Sequence, residues 1–167
     1  RNMRILIVND DSIHAPGIAV LARSAAELGD VWIAAPARQC SALSQKLTLR
    51  ELISLEEVTD FPAPVKRAWR IGGTPVDCVK IALEYLLEEK PDLVVNVVDA
   101  TNLERNLYLS SQIMETGLPM IIALNMCDLL AAEGSTIDTA ALSARLGCPV
   151  VAVSALKQIG MTELLQL

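Results

Sequence analysis

Five short apolar runs along this 167-residue chain most constrain its fold, and most of them are followed by a helical pattern. The runs are rich in Val, Ile, Leu and Ala and cover residues 4–8, 31–35, 93–98, 120–124 and 150–153. Short runs of this kind are typical of strands buried on both faces of a parallel sheet. Helical patterns at residues 18–28, 75–87, 103–116, 139–146 and 161–165 supply the crossovers that parallel strands need.

This alternation predicts an α/β fold: a single doubly wound three-layer domain over residues 1–167, with a mostly parallel sheet. We expect about six mainly parallel strands. Residues 47–58 are expected to be extended and could form a hairpin with residues 68–71.

Composition excludes several classes of function. The net charge is −6 and the pI is about 4.8, without a basic cluster, which argues against nucleic-acid binding. No apolar run approaches the ~20 residues that span a bilayer, so no membrane insertion is expected. The four cysteines are far apart and form no Cys-x-x-Cys pair, which predicts free thiols and a cytoplasmic location.

The first apolar run ends in Asn9, Asp10 and Asp11, and a helical pattern begins after Pro16 and Gly17. Ligands bind at the carboxyl ends of strands in open α/β sheets. Adjacent carboxylates repel each other unless a cation or proton lies between them, and a hard divalent cation prefers oxygen ligands. The residues are compatible with a divalent metal site, but taken alone they slightly favour the alternative that both aspartates only cap the following helix and line a solvated loop, because Asp pairs are common in loops.

Residues 9–18, Asn-Asp-Asp-Ser-Ile-His-Ala-Pro-Gly-Ile, resemble the opening motif of the SurE family of metal-dependent 5'/3'-nucleotidases, which normally has Gly where this chain has Ser12. The resemblance continues through residues 35–44, 47–49 and 73–80 and covers about residues 1–95. It implies a divalent cofactor, Mn or Mg, and a small-molecule nucleotide as substrate.

The same resemblance implies roles for individual residues. Asp10 and Asp11 would be catalytic metal ligands, Ser41 and Asp99 further metal ligands, and Asn9 a substrate-binding residue. Asp99 stands where the family has Asn, and it could instead be a loop or capping residue.

Residues 96–109, 123–128 and 144–150 resemble the guanine-nucleotide domain of the ferrous-iron transporter FeoB, over about residues 91–167. The resemblance implies that the Asn-x-x-Asp motif at Asn125 and Asp128 is a vestigial guanine-reading motif, and that Ser154 and Ala155 form the loop that contacts the base. Met126 stands where the usual GTPase motif has Lys. Arg105 is predicted to be a surface residue in the first turns of its helix.

Phosphate binding in a GTPase needs a Gly-x-x-x-x-Gly-Lys-Ser/Thr loop, which this sequence lacks, so GTP hydrolysis is not expected. The two resemblances together imply a hybrid of Rossmann-like and P-loop-like folds, with the first strand central and next to the strand at residues 93–98. We interpret the chain as an artificial hybrid of residues 1–92 and 93–167, and expect a folded scaffold with little or no activity. Two alternatives stay open. One is a residual metal-dependent phosphomonoesterase, in which the cation polarises the phosphoryl group and lowers the pKa of a bound water. The other is a weak guanine-base binding module without GTPase activity. The sequence does not predict the oligomeric state.

Overall fold

The computed structural model describes residues 2–39 and 52–166, where the chain forms one seven-stranded sheet with helices on both faces. The strands are β1 (Met3–Asn9), β2 (Gly29–Pro36), β3 (Leu55–Glu57), β4 (Arg67–Ile71), β5 (Leu93–Asp99), β6 (Met120–Asn125) and β7 (Val150–Ala152). Their order is β3-β4-β2-β1-β5-β6-β7, and only the β3–β4 pair is antiparallel among the described strands. The predicted α/β class is confirmed, as is the central β1 next to β5.

Helices connect the strands as the sequence pattern predicts, with one addition. They are α1 (Pro16–Ala25), α2 (Pro75–Ile81), α3 (Leu103–Met114), α4 (Cys127–Ala132), α5 (Thr139–Leu146) and α6 (Met161–Leu165). The predicted helix at residues 75–87 starts where expected, because Thr74 and Asp77 form a reciprocal capping box, but it continues after Ile81 as a π-helix, Ala82–Leu86. Helix α4 was not predicted.

The sheet separates two apolar layers. Ile5 and Ile7 of β1 are fully buried on the face that α1 and α6 cover, whereas Leu6 and Val8 are buried under α2 and α3. A strand that is apolar at successive positions therefore buries both of its faces, as expected for the centre of a doubly wound sheet.

The edges of the sheet differ most from the sequence-based expectation. The strand that pairs with β4 covers only residues 55–57 of the expected 47–58, and residues 47–51 lie outside the described residues. The hairpin with β4 is confirmed over this short length. None of the helices in the described segments combines the length and hydrophobicity that crossing a bilayer requires.

Candidate functional site

Three neighbouring strands bring the predicted site residues to one edge of the sheet. β1 ends at Asn9, β5 at Asp99 and β6 at Asn125, and the register pairs Asn9 with Val97 and Asp99 with Asn125. Because these strands are parallel, their carboxyl ends meet at the same edge, which is where open α/β sheets bind ligands. Ser41, the remaining predicted metal ligand, lies outside the described residues.

Arg105 lies against the aspartate pair. Its Nε donates to Asp10 Oδ2 at 3.0 Å, and its Nη2 lies 3.5 Å from Asp11 Oδ1. The Asp10 side chain is 2% exposed and the Arg105 side chain 22% exposed. The sequence-based prediction of a surface Arg105 therefore differs from the structure, in which α3 points this side chain back over the end of β1.

Burial is the main influence on the two carboxyls. It raises the pKa of Asp10 and Asp11 above the usual value, while Arg105 opposes this effect at both. The charge of Asp99 raises both pKa values further, and that of Asp10 raises the pKa of Asp11. The edge of the sheet thus concentrates negative charge that one guanidinium compensates only in part.

Asp99 uses both of its carboxylate oxygens locally. Oδ1 accepts hydrogen bonds from the Thr101 amide at 2.8 Å and the Thr101 hydroxyl at 2.6 Å, and Oδ2 accepts from Asn102 Nδ2 at 3.2 Å. This is the capping role that the sequence left open for Asp99. Residues 2–39 and 52–166 contain no group of three or more His, Cys, Asp or Glu side chains that could hold a metal ion. With Arg105 in place, the described residues do not fit a divalent cation.

Asn9, the predicted substrate-binding residue, holds the loop that follows β1. Its Nδ2 donates to the Ser12 carbonyl at 2.8 Å, while its buried Oδ1 has no hydrogen-bond partner. Only the amide nitrogen of the Asn9 side chain therefore makes a hydrogen bond.

Asn125 fixes the loop after β7. Its Oδ1 accepts a hydrogen bond from the Ala155 amide at 3.0 Å, and both residues are buried. Ser154 and Ile159 close the loop by two mutual backbone hydrogen bonds, of 3.0 and 3.1 Å. The structure therefore brings Asn125, Ser154 and Ala155 together.

Asp128 lies beside this loop, in the first turn of α4, where it pairs with Lys157 at 2.9 Å. The Lys157 hydrogen bond, with a smaller contribution from Ser154, lowers the pKa of Asp128 below its usual value. Asp128 is therefore an ionised acceptor at neutral pH. A cavity of about 80 Å³ lies here, lined by Asn125, Asp128 and Ser154 and also by Pro16 and Gly17 of α1.

Gly17 is in close contact with Asn125 and was not singled out for this pocket from the sequence. A Cβ added at Gly17 would lie 2.5 Å from Asn125 Nδ2, well inside contact distance. Asn125 cannot turn away without losing its bond to the Ala155 amide. Only Gly therefore fits where α1 passes the pocket.

We expect Gly17→Ala to destabilise the chain by about 1–3 kcal/mol, the usual cost of overpacking, despite the better helix propensity of Ala. Urea unfolding measures this change. A double-mutant cycle with Asn125→Ala provides the control, since removing the Asn125 side chain should relieve most of the clash. Equal costs of Gly17→Ala in both backgrounds would contradict the contact.

Two protein families match this chain over more than half of its length each. The family described as survival protein SurE matches residues 5–114, and the family described as ferrous iron transport protein B matches residues 76–167. The chain belongs to both families. The two matches overlap over residues 76–114, which is consistent with a chimera of SurE and FeoB.

Individual relatives likewise belong either to SurE or to FeoB. The chain is 45% identical to the 5'-nucleotidase SurE of Moorella thermoacetica over 97 residues, which are 58% of this chain and 37% of that protein. It is 49% identical to the Fe(2+) transporter FeoB of Escherichia coli over 107 residues, which are 64% of this chain and 14% of that protein. The chain thus spans well under half of either relative.

Solved structures of FeoB domains share the whole fold. The FeoB G-domain from Methanococcus jannaschii is 29% identical with a TM-score of 0.60, over 99% of this chain and 94% of that chain. The mGMPPNP-bound NFeoB from S. thermophilus is 30% identical with a TM-score of 0.56, over 97% of this chain and 59% of that chain. The architecture is therefore that of a G-domain, although the first strands are matched by SurE in sequence.

Proposed function

We propose that this chain is an artificial SurE–FeoB hybrid that binds a guanine base weakly and has little or no phosphomonoesterase activity. The arrangement at Asn125 carries the proposal, because the hydrogen bond that it accepts from the Ala155 amide holds the loop after β7 beside the ionised Asp128. The guanine-nucleotide complexes named for the FeoB structures support it by analogy.

The chemistry of the pocket matches one edge of guanine. That edge presents two adjacent donors, the N1–H and the exocyclic amine, and an ionised carboxylate can accept from both. Asp128 first has to release Lys157, whose side chain is 62% exposed, and an exposed ion pair of this kind costs little to break. The Asp128 carboxylate is therefore available to a base that enters the cavity.

The phosphates of a nucleotide have no comparable support. The chain lacks the Gly-x-x-x-x-Gly-Lys-Ser/Thr loop, and β1 is followed by Asp10 and Asp11 instead. The carboxylates of Asp10 and Asp11 repel phosphates, and the Arg105 guanidinium already pairs with these two carboxylates. We infer that affinity decreases from guanosine to GMP to GTP, and that GTP is not hydrolysed.

Nucleotidase activity is the less favoured alternative. Phosphoryl transfer depends mostly on positioning and on electrostatic stabilisation of the transferring group. Here Asp10 and Asp11 face a guanidinium, and Asp99 caps its own loop. The proposal of little or no phosphomonoesterase activity rests on that arrangement.

Titration calorimetry with guanosine tests the base site. We expect a dissociation constant in the millimolar range, about 4 kcal/mol of binding free energy, because only the base is recognised. Asp128→Ala should remove this binding, since two charge-assisted hydrogen bonds are lost.

Asp60→Ala is the matched control, because Asp60 is exposed and follows β3 at the opposite edge of the sheet. It should leave guanosine binding unchanged. Binding of adenosine as tight as that of guanosine, or guanosine binding that survives Asp128→Ala, would refute the proposed base site.

A further inference from the structure

The ion pair between Arg105 and Asp10 joins residues that are 95 positions apart in the sequence. Arg105 lies within residues 96–109, the stretch that resembles FeoB, whereas Asp10 and Asp11 lie in the opening SurE-like motif. We infer that the Arg105 guanidinium takes the place of a divalent cation at the Asp10–Asp11 pair and keeps such a cation out.

The geometry places a single positive group beside the buried carboxylate of Asp10 and the partly exposed carboxylate of Asp11. Nε of Arg105 lies 3.0 Å from Asp10 Oδ2, and Nη2 lies 3.5 Å from Asp11 Oδ1. Asp99 adds a third negative charge nearby, which acts on both aspartates. Without Arg105, these charges would lie together at one edge of the sheet and attract another cation.

The fit of the guanidinium is incomplete. Asn9 and Asp10 are each only 2% exposed, and the Oδ1 atom of each has no hydrogen-bond partner. Arg105 Nη2 is also buried without a hydrogen-bond partner, although it lies 3.5 Å from Asp11 Oδ1. A divalent cation collects several oxygen ligands around one point, whereas a planar guanidinium donates only along its N–H bonds. The unpartnered oxygens are therefore acceptors that a cation could use and that Arg105 does not reach.

Arg105 is part of α3, so a cation must compete with a positive charge that the chain itself holds beside the aspartate pair. The wild-type chain should consequently be insensitive to divalent metal, and a variant without the charge at position 105 should respond to it.

Thermal unfolding with and without millimolar Mn²⁺ tests this inference in the full chain. We expect no shift of Tm in the wild type. Arg105→Met keeps an unbranched side chain without charge, and its Tm should rise by about 5–10 °C when Mn²⁺ is present at a hundred times its dissociation constant. The double variant Arg105→Met/Asp10→Asn should lose this rise.

Arg145→Met is the control for net charge, because Arg145 is an exposed residue in the last turn of α5. It should respond to Mn²⁺ as the wild type does. An Arg105→Met variant that folds only when Mn²⁺ is added would support the inference. One that stays unfolded with Mn²⁺, or folds without responding to it, would overturn it, as would a wild-type Mn²⁺ shift that Asp10→Asn abolishes. None of these results depends on guanosine binding.

Discussion

Residues 1–92 and residues 93–167, produced as separate fragments, are each expected to lack cooperative unfolding. The reason is the position of the junction, because β1 and β5 lie side by side in the middle of the sheet. Their register runs from Ile5 opposite Leu93 to Asn9 opposite Val97. Separating the fragments would expose the full edge of both strands, and an unpaired central strand is a template for aggregation.

Both apolar layers also combine the two fragments. On one face, α1 of the first fragment packs on α6 of the second, and Leu21 and Leu164 belong to the same buried cluster. On the other face, α2 contacts α3, and Val79 and Ile113 share a cluster. Neither fragment can bury these surfaces alone, so the loss of stability should be complete rather than partial.

Circular dichroism and thermal scans of each fragment, with the full chain as the reference, measure this prediction. An equimolar mixture of the fragments should recover part of the native signal, because the missing strand neighbour and helices are supplied in trans. A monomeric fragment that unfolds cooperatively at a defined temperature would show that the corresponding half is an independent folding unit.

The sequence predicted those parts of the fold that are repetitive and locally encoded. β1, β5 and β6 each contain a run of mostly apolar residues, and Thr74 followed by Pro75 marks the start of α2. β3 lies within the stretch expected to be extended, but its three residues, Leu-Glu-Glu, are all exposed, so no burial pattern marks where the strand begins and ends. α4 likewise contains no buried residue, and its pattern was too short to distinguish from a loop.

The sequence also predicted the position of some residues of the candidate site and not of others. Asp10 and Asp11 could be placed from the sequence because they follow a strand directly, and the end of a strand defines an edge of the sheet. Arg105 could not, since its partner depends on where α3 starts after β5 and on which side of the helix faces β1. The available signal was its place in the first turn of a helix that begins at the ligand-binding edge.

The variant Asp128→Asn is expected to bind xanthosine more tightly than guanosine, whereas the wild type should bind guanosine more tightly. Guanine offers two donors to Asp128, whereas the Asn side chain offers one acceptor and one donor. The Asn amide would therefore lose one guanine hydrogen bond and face the exocyclic amine of guanine with its own N–H group. Xanthine carries a carbonyl oxygen in place of that amine, so it can accept from Asn while its N1–H donates to the Asn oxygen.

Each charge-assisted hydrogen bond contributes about 1.5–3 kcal/mol, so guanosine affinity should fall by about 10- to 100-fold while xanthosine binding rises into the millimolar range. Calorimetric titrations of both nucleosides should be made in slightly acidic buffer, where the xanthine base is neutral. Asp128 remains ionised there in the wild type, because Lys157 lowers its pKa. Asp60→Asn, on an exposed turn, should keep the preference for guanosine. If Asp128→Asn weakened both nucleosides equally, Asp128 would support the loop without reading the base, and recognition of the guanine edge would have to come from elsewhere in the pocket.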